Sequence, residues 1–335
     1  MKKCLELATK GMGYVSPNPM VGCVIVFNNQ IIGEGYHKKY GTAHAEINAI
    51  ENVKDRSLLK KSTLYVNLEP CVHFGKTPPC TNLIIESEIP KVVIGCRDSY
   101  SEVSGKGIEK MQNIGIEVIV GVLEKESREL NKRFFTFHEK KRPYIILKWA
   151  ESKDGFMAPL NQKKPFWMTS SESKKLVHKW RAEEEAILIG RITAKKDNPS
   201  LTVREVAGNN PIRIIIDKNL TLSGDLNLFN SEAKTIIFNS IKSEKTGTNY
   251  FIKIDFNYLI KKILKELHKQ NIQSFKIEGG SITLQSFIDA NIWDEARIFT
   301  ANKLLSQGLK TPIIEGKIIL ERKIGTDTLE IITNR

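Results

Sequence analysis

The sequence predicts an α/β protein of two domains, and three observations carry the prediction. Short β-branched runs alternate with helix-length amphipathic segments along the chain. Its 335 residues suit about two domains. A charged stretch ending in proline, Glu139-Lys140-Lys141-Arg142-Pro143, interrupts the alternation. The boundary is placed there, giving domains 1–142 and 143–335.

In the first domain, strands are expected at Val21–Phe27, Gln30–Tyr36, Thr63–Leu68, Lys91–Cys96 and Ile116–Val120. Helices are expected near Lys2–Met12, His44–Glu51, Cys80–Ser87, Gly107–Asn113 and Glu124–Phe137. Asn28-Asn29 reads as a hairpin turn, and the helix-length crossovers that follow imply parallel pairing. A three-layer α/β/α sandwich results.

The second domain repeats the alternation, with strands at Tyr144–Trp149, Ala186–Ile189, Ile212–Ile216, Lys234–Phe238, Phe275–Ile277 and Ala296–Thr300. Helices fall near Ser171–Glu183, Tyr258–Gln270 and Thr283–Ala290. Lys317–Glu321 and Thr328–Ile332 close the chain as an antiparallel pair.

Composition narrows the function. With 41% apolar and 27% charged residues and no apolar run long enough for a bilayer, the disordered, collagenous and membrane classes are excluded. The net charge of +13 divides into +5 and +8 between the halves. A nucleic-acid binder concentrates such charge, whereas a diffuse excess suits a small phosphorylated ligand or plain solubility, so neither nucleic acid nor membrane is expected as a partner. Glu6 and Lys10 interrupt the N-terminal segment before an export signal can form. Five cysteines, an odd number, fit thiols kept reduced in the cytoplasm. A homo-oligomer is left open.

The sharpest signal is His44-Ala45-Glu46 followed by Glu69-Pro70-Cys71 and Pro78-Pro79-Cys80. One imidazole and two thiolates are ligands that zinc prefers, and three protein ligands leave a fourth position open, the catalytic pattern. Zinc lowers the pKa of bound water toward ~7. Glu46, two residues from His44 on a helix, points to another side and reads as a proton shuttle rather than a ligand. His44 alone would be an ordinary surface or core histidine; the constellation reverses that reading.

His-x-Glu with a later Pro-Cys and Cys resembles the zinc nucleobase and nucleotide deaminases, implying a cytidine-deaminase-like domain. The spacer 72–79, with Pro17-Asn18-Pro19-Met20-Val21-Gly22 and Gly33-Glu34-Gly35-Tyr36-His37, is similar to the bifunctional riboflavin-biosynthesis deaminase/reductase family. The resemblance implies that Asn18, His73 and Lys76 hold the deaminase substrate.

In the second half, Ile277-Glu278-Gly279-Gly280-Ser281 is a strand ending in two glycines before a helix, a turn that lets a diphosphate approach backbone N–H groups. Lys148–Gly155, Trp167–Ser170, Trp180-Arg181-Ala182, Asp197–Arg204 and Arg213–Asp217 match the reductase half of the same family. That resemblance implies a dihydrofolate-reductase-like fold using NADPH. It places Arg181, Leu201, Arg204 and Glu278 on the substrate, and Trp167, Thr193, Asp197, Gly280, Ser281, Ile282, Thr283, Leu284, Gln285 and Ser286 on the nucleotide. No side chain there reads as an obvious acid or base. Pro165 and Lys218 stand where the family commonly has serine.

The expected function is therefore zinc-hydroxide deamination of diaminohydroxyphosphoribosylaminopyrimidine, followed by NADPH reduction of the ribosyl group of 5-amino-6-(5-phosphoribosylamino)uracil to ribityl. Pro165 and Lys218 leave an alternative, a deaminase whose second domain binds or dimerises without reducing. A nucleic-acid deaminase would need the clustered basic and aromatic residues that the diffuse charge lacks.

Overall fold

The computed structural model describes residues 1–72, 78–100, 103–160 and 166–334. The chain forms two compact units, Met1–Lys141 and Arg142–Arg335.

Unit 1 contains strands β1 (Gly22–Phe27), β2 (Gln30–Tyr36), β3 (Thr63–Leu68), β4 (Lys91–Cys96) and β5 (Glu117–Val120). Its helices are α1 (Lys2–Thr9), α2 (Ala45–Glu51), α3 (Cys80–Glu86), α4 (Lys106–Asn113), α5 (Glu124–Leu130) and α6 (Lys132–Lys140). The sheet order is β2-β1-β3-β4-β5. β1 and β2 form the expected hairpin, with Phe27 opposite Gln30 and both turn residues left-handed, Asn28 at φ 47 and Asn29 at φ 61. β3, β4 and β5 run parallel. One face packs Ile25, Leu64, Val66 and Ile94 beneath Ala49 and Ile50 of α2 and Ile84 of α3. The other meets Cys4 and Leu7 of α1, which pack on Val24, and Ser127 of α5, which lies against Gly95. This is a three-layer sandwich.

The helix expected over Glu124–Phe137 is two helices. Asn131, at φ −103 and ψ 24, breaks it. Its buried amide accepts from Met20 N–H at 2.8 Å and donates to Met20 C=O at 2.9 Å. A long-range pair of bonds thus overrides a local pattern that continues across the break.

Unit 2 contains strands β6 (Tyr144–Ser152), β7 (Phe156–Ala158), β8 (Ala186–Gly190), β9 (Ile212–Ile216), β10 (Thr235–Asn239), β11 (Glu244–Thr246), β12 (Asn249–Lys253), β13 (Ser274–Glu278), β14 (Glu295–Ala301), β15 (Leu309–Lys310), β16 (Lys317–Ile324) and β17 (Asp327–Thr333). Its helices are α7 (Ser171–Glu183), α8 (Arg191–Asp197), α9 (Leu259–Lys269) and α10 (Ser281–Asp289). One sheet runs β11-β12-β10-β9-β8-β13-β6-β14-β17-β16, and β15 pairs with β7. From β12 to β14 every neighbouring pair is parallel, while the flanking pairs are antiparallel. Both faces of these central strands are covered, so they read as nearly continuous apolar runs. α9 and α10 bury Leu267, Leu284 and Phe287 on one face; α7 and α8 cover the other. Helix α8 and strands β7, β11, β12 and β15 lie outside the sequence expectations.

Candidate functional site

In unit 1 the site is built on glycines. A Cβ at Gly33 would lie 2.4 Å from Ala49 O, and one at Gly35 would lie 2.5 Å from Ala49 N and 2.6 Å from Ala45 O. Only glycine lets α2 sit this close to β2. The Asn48 side chain, donating to Tyr36 O at 2.9 Å, fixes the start of α2. His44 is its N-cap, and Glu46 lies in its first turn, buried.

The loop after β3 brings the thiols to the same place. Thr81 anchors it, donating through N–H and hydroxyl to Cys71 O at 3.2 and 3.1 Å. His44 Nδ1 stands 3.3 Å from Cys80 Sγ and 3.6 Å from Cys71 Sγ, and the three candidate ligand atoms all lie within 4.8 Å of one another. Tetrahedral zinc, with bonds of about 2.3 Å to sulfur and 2.0–2.1 Å to nitrogen, separates N and S ligands by about 3.5 Å. The donor set and spacing fit the metal.

Charge supports the fit. Cys71 receives hydrogen bonds from the Cys80 side chain and His44, and its thiol is held down at about 4 despite burial. Its partner Cys80, hydrogen-bonded to Cys71 and buried, is pushed well up. The pair thus keeps a proton that a cation would displace. Burial raises the Glu46 carboxyl to about 7, a value suited to proton exchange at neutral pH.

Asn18 joins this cluster through His37. The buried His37 ring lies edge-on to His44 at 5.2 Å, its Nε2 is 3.1 Å from Asn18 Nδ2 and its Nδ1 is 3.1 Å from Ala43 O. His73 and Lys76 lie outside the described residues. Sequence reasoning missed Glu69. Its buried carboxylate accepts from the N–H groups of Gly105 and Gly107, each at 3.0 Å, and so ties the end of β3 to the start of α4. The Glu-Pro-Cys spacing, next to a ligand, was the available signal.

In unit 2 the double-glycine turn stands where expected, between β13 and α10, with Gly279 at φ 92 and Gly280 at φ 75. The adjacent strand β8 also ends in glycine, and the two turns interlock. Thr283 Oγ1 would lie 2.7 Å from a Cβ at Gly190, and Thr193 Cγ2 would lie 3.0 Å from one at Gly279. Thr193 therefore stands beside Gly279 and Gly280 and Thr283 beside Gly190, whereas Leu284 is fully buried in the core. Ser281 begins α10, Ser286 Oγ bonds Thr283 O, Gln285 accepts from Ile313 N–H and Ile282 is exposed. Asp197 ends α8, and Trp167 is half exposed with Lys174 Nζ 5.3 Å from its ring centroid.

Arg181 and Glu278 are brought together, with Arg181 Nη2 donating to Glu278 Oε2 at 2.8 Å. Lys276 Nζ is 2.8 Å from the other carboxylate oxygen. Burial opposes ionisation of Glu278, but Arg181, Lys276 and Lys148 outweigh it and hold its carboxyl well below the usual range. Lys148, in register with Glu278 across β6 and β13, and Lys276 were both missed. Lysines within apolar parallel strands were the signal. Leu201 packs in the core with its backbone left-handed at φ 53, and Arg204 Nη1 donates to Thr202 Oγ1 at 2.9 Å. Lys218 stands apart, lining an open cavity of about 460 Å³ with Lys253 and Asn257; Pro165 lies outside the described residues.

Fold and site together define a zinc-dependent deaminase unit joined to a dihydrofolate-reductase-like unit. Residues 1–96 match the family model of the cytidine and deoxycytidylate deaminase zinc-binding region, and residues 143–330 match that of the RibD C-terminal domain. The riboflavin biosynthesis protein RibD of Aquifex aeolicus is 45% identical, over 92% of this chain and 88% of its own. That of Escherichia coli is 32% identical over 91% and 87%. The crystal structure of a diaminohydroxyphosphoribosylaminopyrimidine deaminase/5-amino-6-(5-phosphoribosylamino)uracil reductase from Thermotoga maritima superposes with a TM-score of 0.92 at 39% identity, covering 100% of this chain and 97% of that one. The chain belongs to the RibD family of bifunctional riboflavin biosynthesis proteins, which join a deaminase and a reductase in one polypeptide.

Proposed function

We propose that the deaminase unit hydrolyses the amino group of diaminohydroxyphosphoribosylaminopyrimidine. The reductase unit then converts the ribosyl group of 5-amino-6-(5-phosphoribosylamino)uracil to ribityl. The observation that carries the reading is the convergence of His44, Cys71 and Cys80 beside the buried Glu46. His44 Nδ1 and the two thiolates would hold zinc, which when bound supplies Lewis acidity that brings water to a near-neutral pKa. Glu46 takes the proton from the attacking water and gives it to the departing amine as ammonia leaves. Asn18, steadied by His37, orients the pyrimidine ring, with His73 and Lys76 assigned to the same substrate.

In unit 2 the Gly280–Ser286 turn, Trp167, Thr193 and Asp197 would hold NADPH, which when bound supplies the hydride. Arg181, Arg204, Glu278 and the backbone of Leu201 would hold the phosphorylated ribosylaminouracil. Lys148 and Lys276 offset the Glu278 carboxylate and keep it anionic, so the substrate meets a carboxylate already oriented by Arg181. Catalysis here is mainly a matter of position, with the ribosyl carbon held against the nicotinamide.

Among the described residues no helix is long and apolar enough to cross a membrane. Reduced thiols as ligands support a cytoplasmic enzyme, and the basic excess spread over both halves of the chain suits small phosphorylated substrates. The test is a paired assay on metal-quantified protein. Ammonia release followed by NADPH oxidation is expected. Ammonia without oxidation would support the alternative of a non-reducing second unit, and loss of both would overturn the reading.

A further inference from the structure

We propose that His178 and Arg213 are positioning residues of the reductase unit. From helix α7 and strand β9, they hold the irregular Asn198–Arg204 segment in the one backbone course that offers the Leu201 peptide and the Arg204 guanidinium to substrate. The proposal rests on the reading of Leu201 and Arg204 as substrate contacts.

The segment follows α8 and has no regular secondary structure. Two of its residues are left-handed, Asn198 at φ 39 and Leu201 at φ 53, a strained course for a leucine that persists only where the surroundings impose it. Backbone ladders do not supply that constraint; side chains do.

Arg213 sits on β9 with no exposed surface. Its Nε donates to Ser200 O at 2.9 Å, and its Nη1 donates to Leu228 O at 3.1 Å and Asn230 O at 3.2 Å. The nearest carboxylate, exposed Glu232, stands 3.6 Å from Nη2. A buried guanidinium has therefore turned its planar fork onto carbonyls of two loops, a geometry that the single ammonium of lysine does not reproduce. Being enclosed, Arg213 meets no substrate itself and acts through the backbone it holds, the segment at Ser200 and the neighbouring loop at Leu228 and Asn230.

His178 reaches the segment's other end. Its Nδ1 accepts from Arg204 N–H at 3.1 Å, and the ring is buried. Accepting at Nδ1 requires a neutral ring with its proton on Nε2. Arg181, Arg204, Glu205 and Glu278 all act on it; burial and then the two arginines hold its pKa down to about 4, so the accepting tautomer persists through the physiological range. His178 lies three residues before Arg181 on α7, on the same side of the helix. One helix thereby sets both arginines proposed to meet the substrate.

The experiment uses the full-length enzyme and measures reductase kcat and KM for 5-amino-6-(5-phosphoribosylamino)uracil, NADPH Kd, and the deaminase rate of the same preparation. Four variants are compared with wild type: His178→Leu, His178→Asn, Arg213→Lys and Arg204→Ala. His178→Leu and Arg213→Lys are expected to raise KM about ten-fold. NADPH Kd and the deaminase rate are expected to stay within about two-fold. His178→Asn, which keeps an acceptor near the Nδ1 position, is expected to recover most of the loss. An unchanged KM in His178→Leu and Arg213→Lys overturns the proposal, as does an Asn variant no better than Leu. Arg204→Ala separates the layers, since an unchanged KM there overturns the substrate reading itself. Should His178→Leu lose NADPH binding through misfolding, Arg213→Lys and His178→Asn decide the matter.

Discussion

Glu278 lies between two cations, with Arg181 Nη2 2.8 Å from one carboxylate oxygen and Lys276 Nζ 2.8 Å from the other. All three side chains are buried. Removing the anion leaves two enclosed positive charges uncompensated, which costs about 3–5 kcal/mol in comparable buried pairs. Glu278→Gln should therefore destabilise the reductase unit by that order and abolish most reduction. All four tryptophans, Trp149, Trp167, Trp180 and Trp293, fall in this unit, so fluorescence-monitored urea unfolding reads it selectively. A variant as stable as the parent would refute the cluster's structural role.

The His178 ring predicts a pH dependence. Its folded pKa of about 4 lies below the unfolded value of about 6.5. Between them the unfolded chain binds a proton that the folded protein does not, so stability falls as pH drops from about 6.5 to about 4 and levels off below. Tryptophan-monitored unfolding across that window should show this slope, reduced in His178→Asn. Equal slopes in both proteins would exclude the histidine as its source.

Glu46 tests the deaminase chemistry separately from its metal. Glu46→Gln should retain zinc by elemental analysis yet lose deamination by about 10²–10⁴-fold, while reduction of supplied intermediate is unchanged. Full deaminase activity would remove Glu46 from proton transfer.

Gly35 makes the geometry testable without touching a ligand. An added Cβ would lie 2.5 Å from Ala49 N and 2.6 Å from Ala45 O, so Gly35→Ala must lift α2 and with it His44 and Glu46. Zinc content and deamination should fall together, with reduction intact. Normal zinc and deaminase activity would mean that α2 tolerates the displacement.

Much of this was legible in residues whose constraints are local. The Asn28-Asn29 turn imposes its own backbone angles, apolar period marks strand and helix, and His44, Cys71 and Cys80 reveal a ligand set because their chemistry is scarce and their neighbours are helix starts. The double glycine before Ser281 is equally local. These features depend on a few consecutive residues, so their order in the chain was enough to find them.

Other features required distant partners. Asn131 breaks a helical pattern because Met20, far away in sequence, takes both ends of its amide. Lys148 and Lys276 interrupt apolar strands without showing why, until the fold sets Glu278 beside Lys276 and opposite Lys148 and α7 brings Arg181 onto it. Arg213 looks like any basic residue until its fork meets carbonyls from two loops. The sequence alone determined most of the longer elements, the hairpin and the candidate metal-ligand set, through backbone preference and ligand chemistry. Tertiary structure decided which charges are buried and paired, because desolvation depends on what covers a residue rather than on its neighbours in the chain.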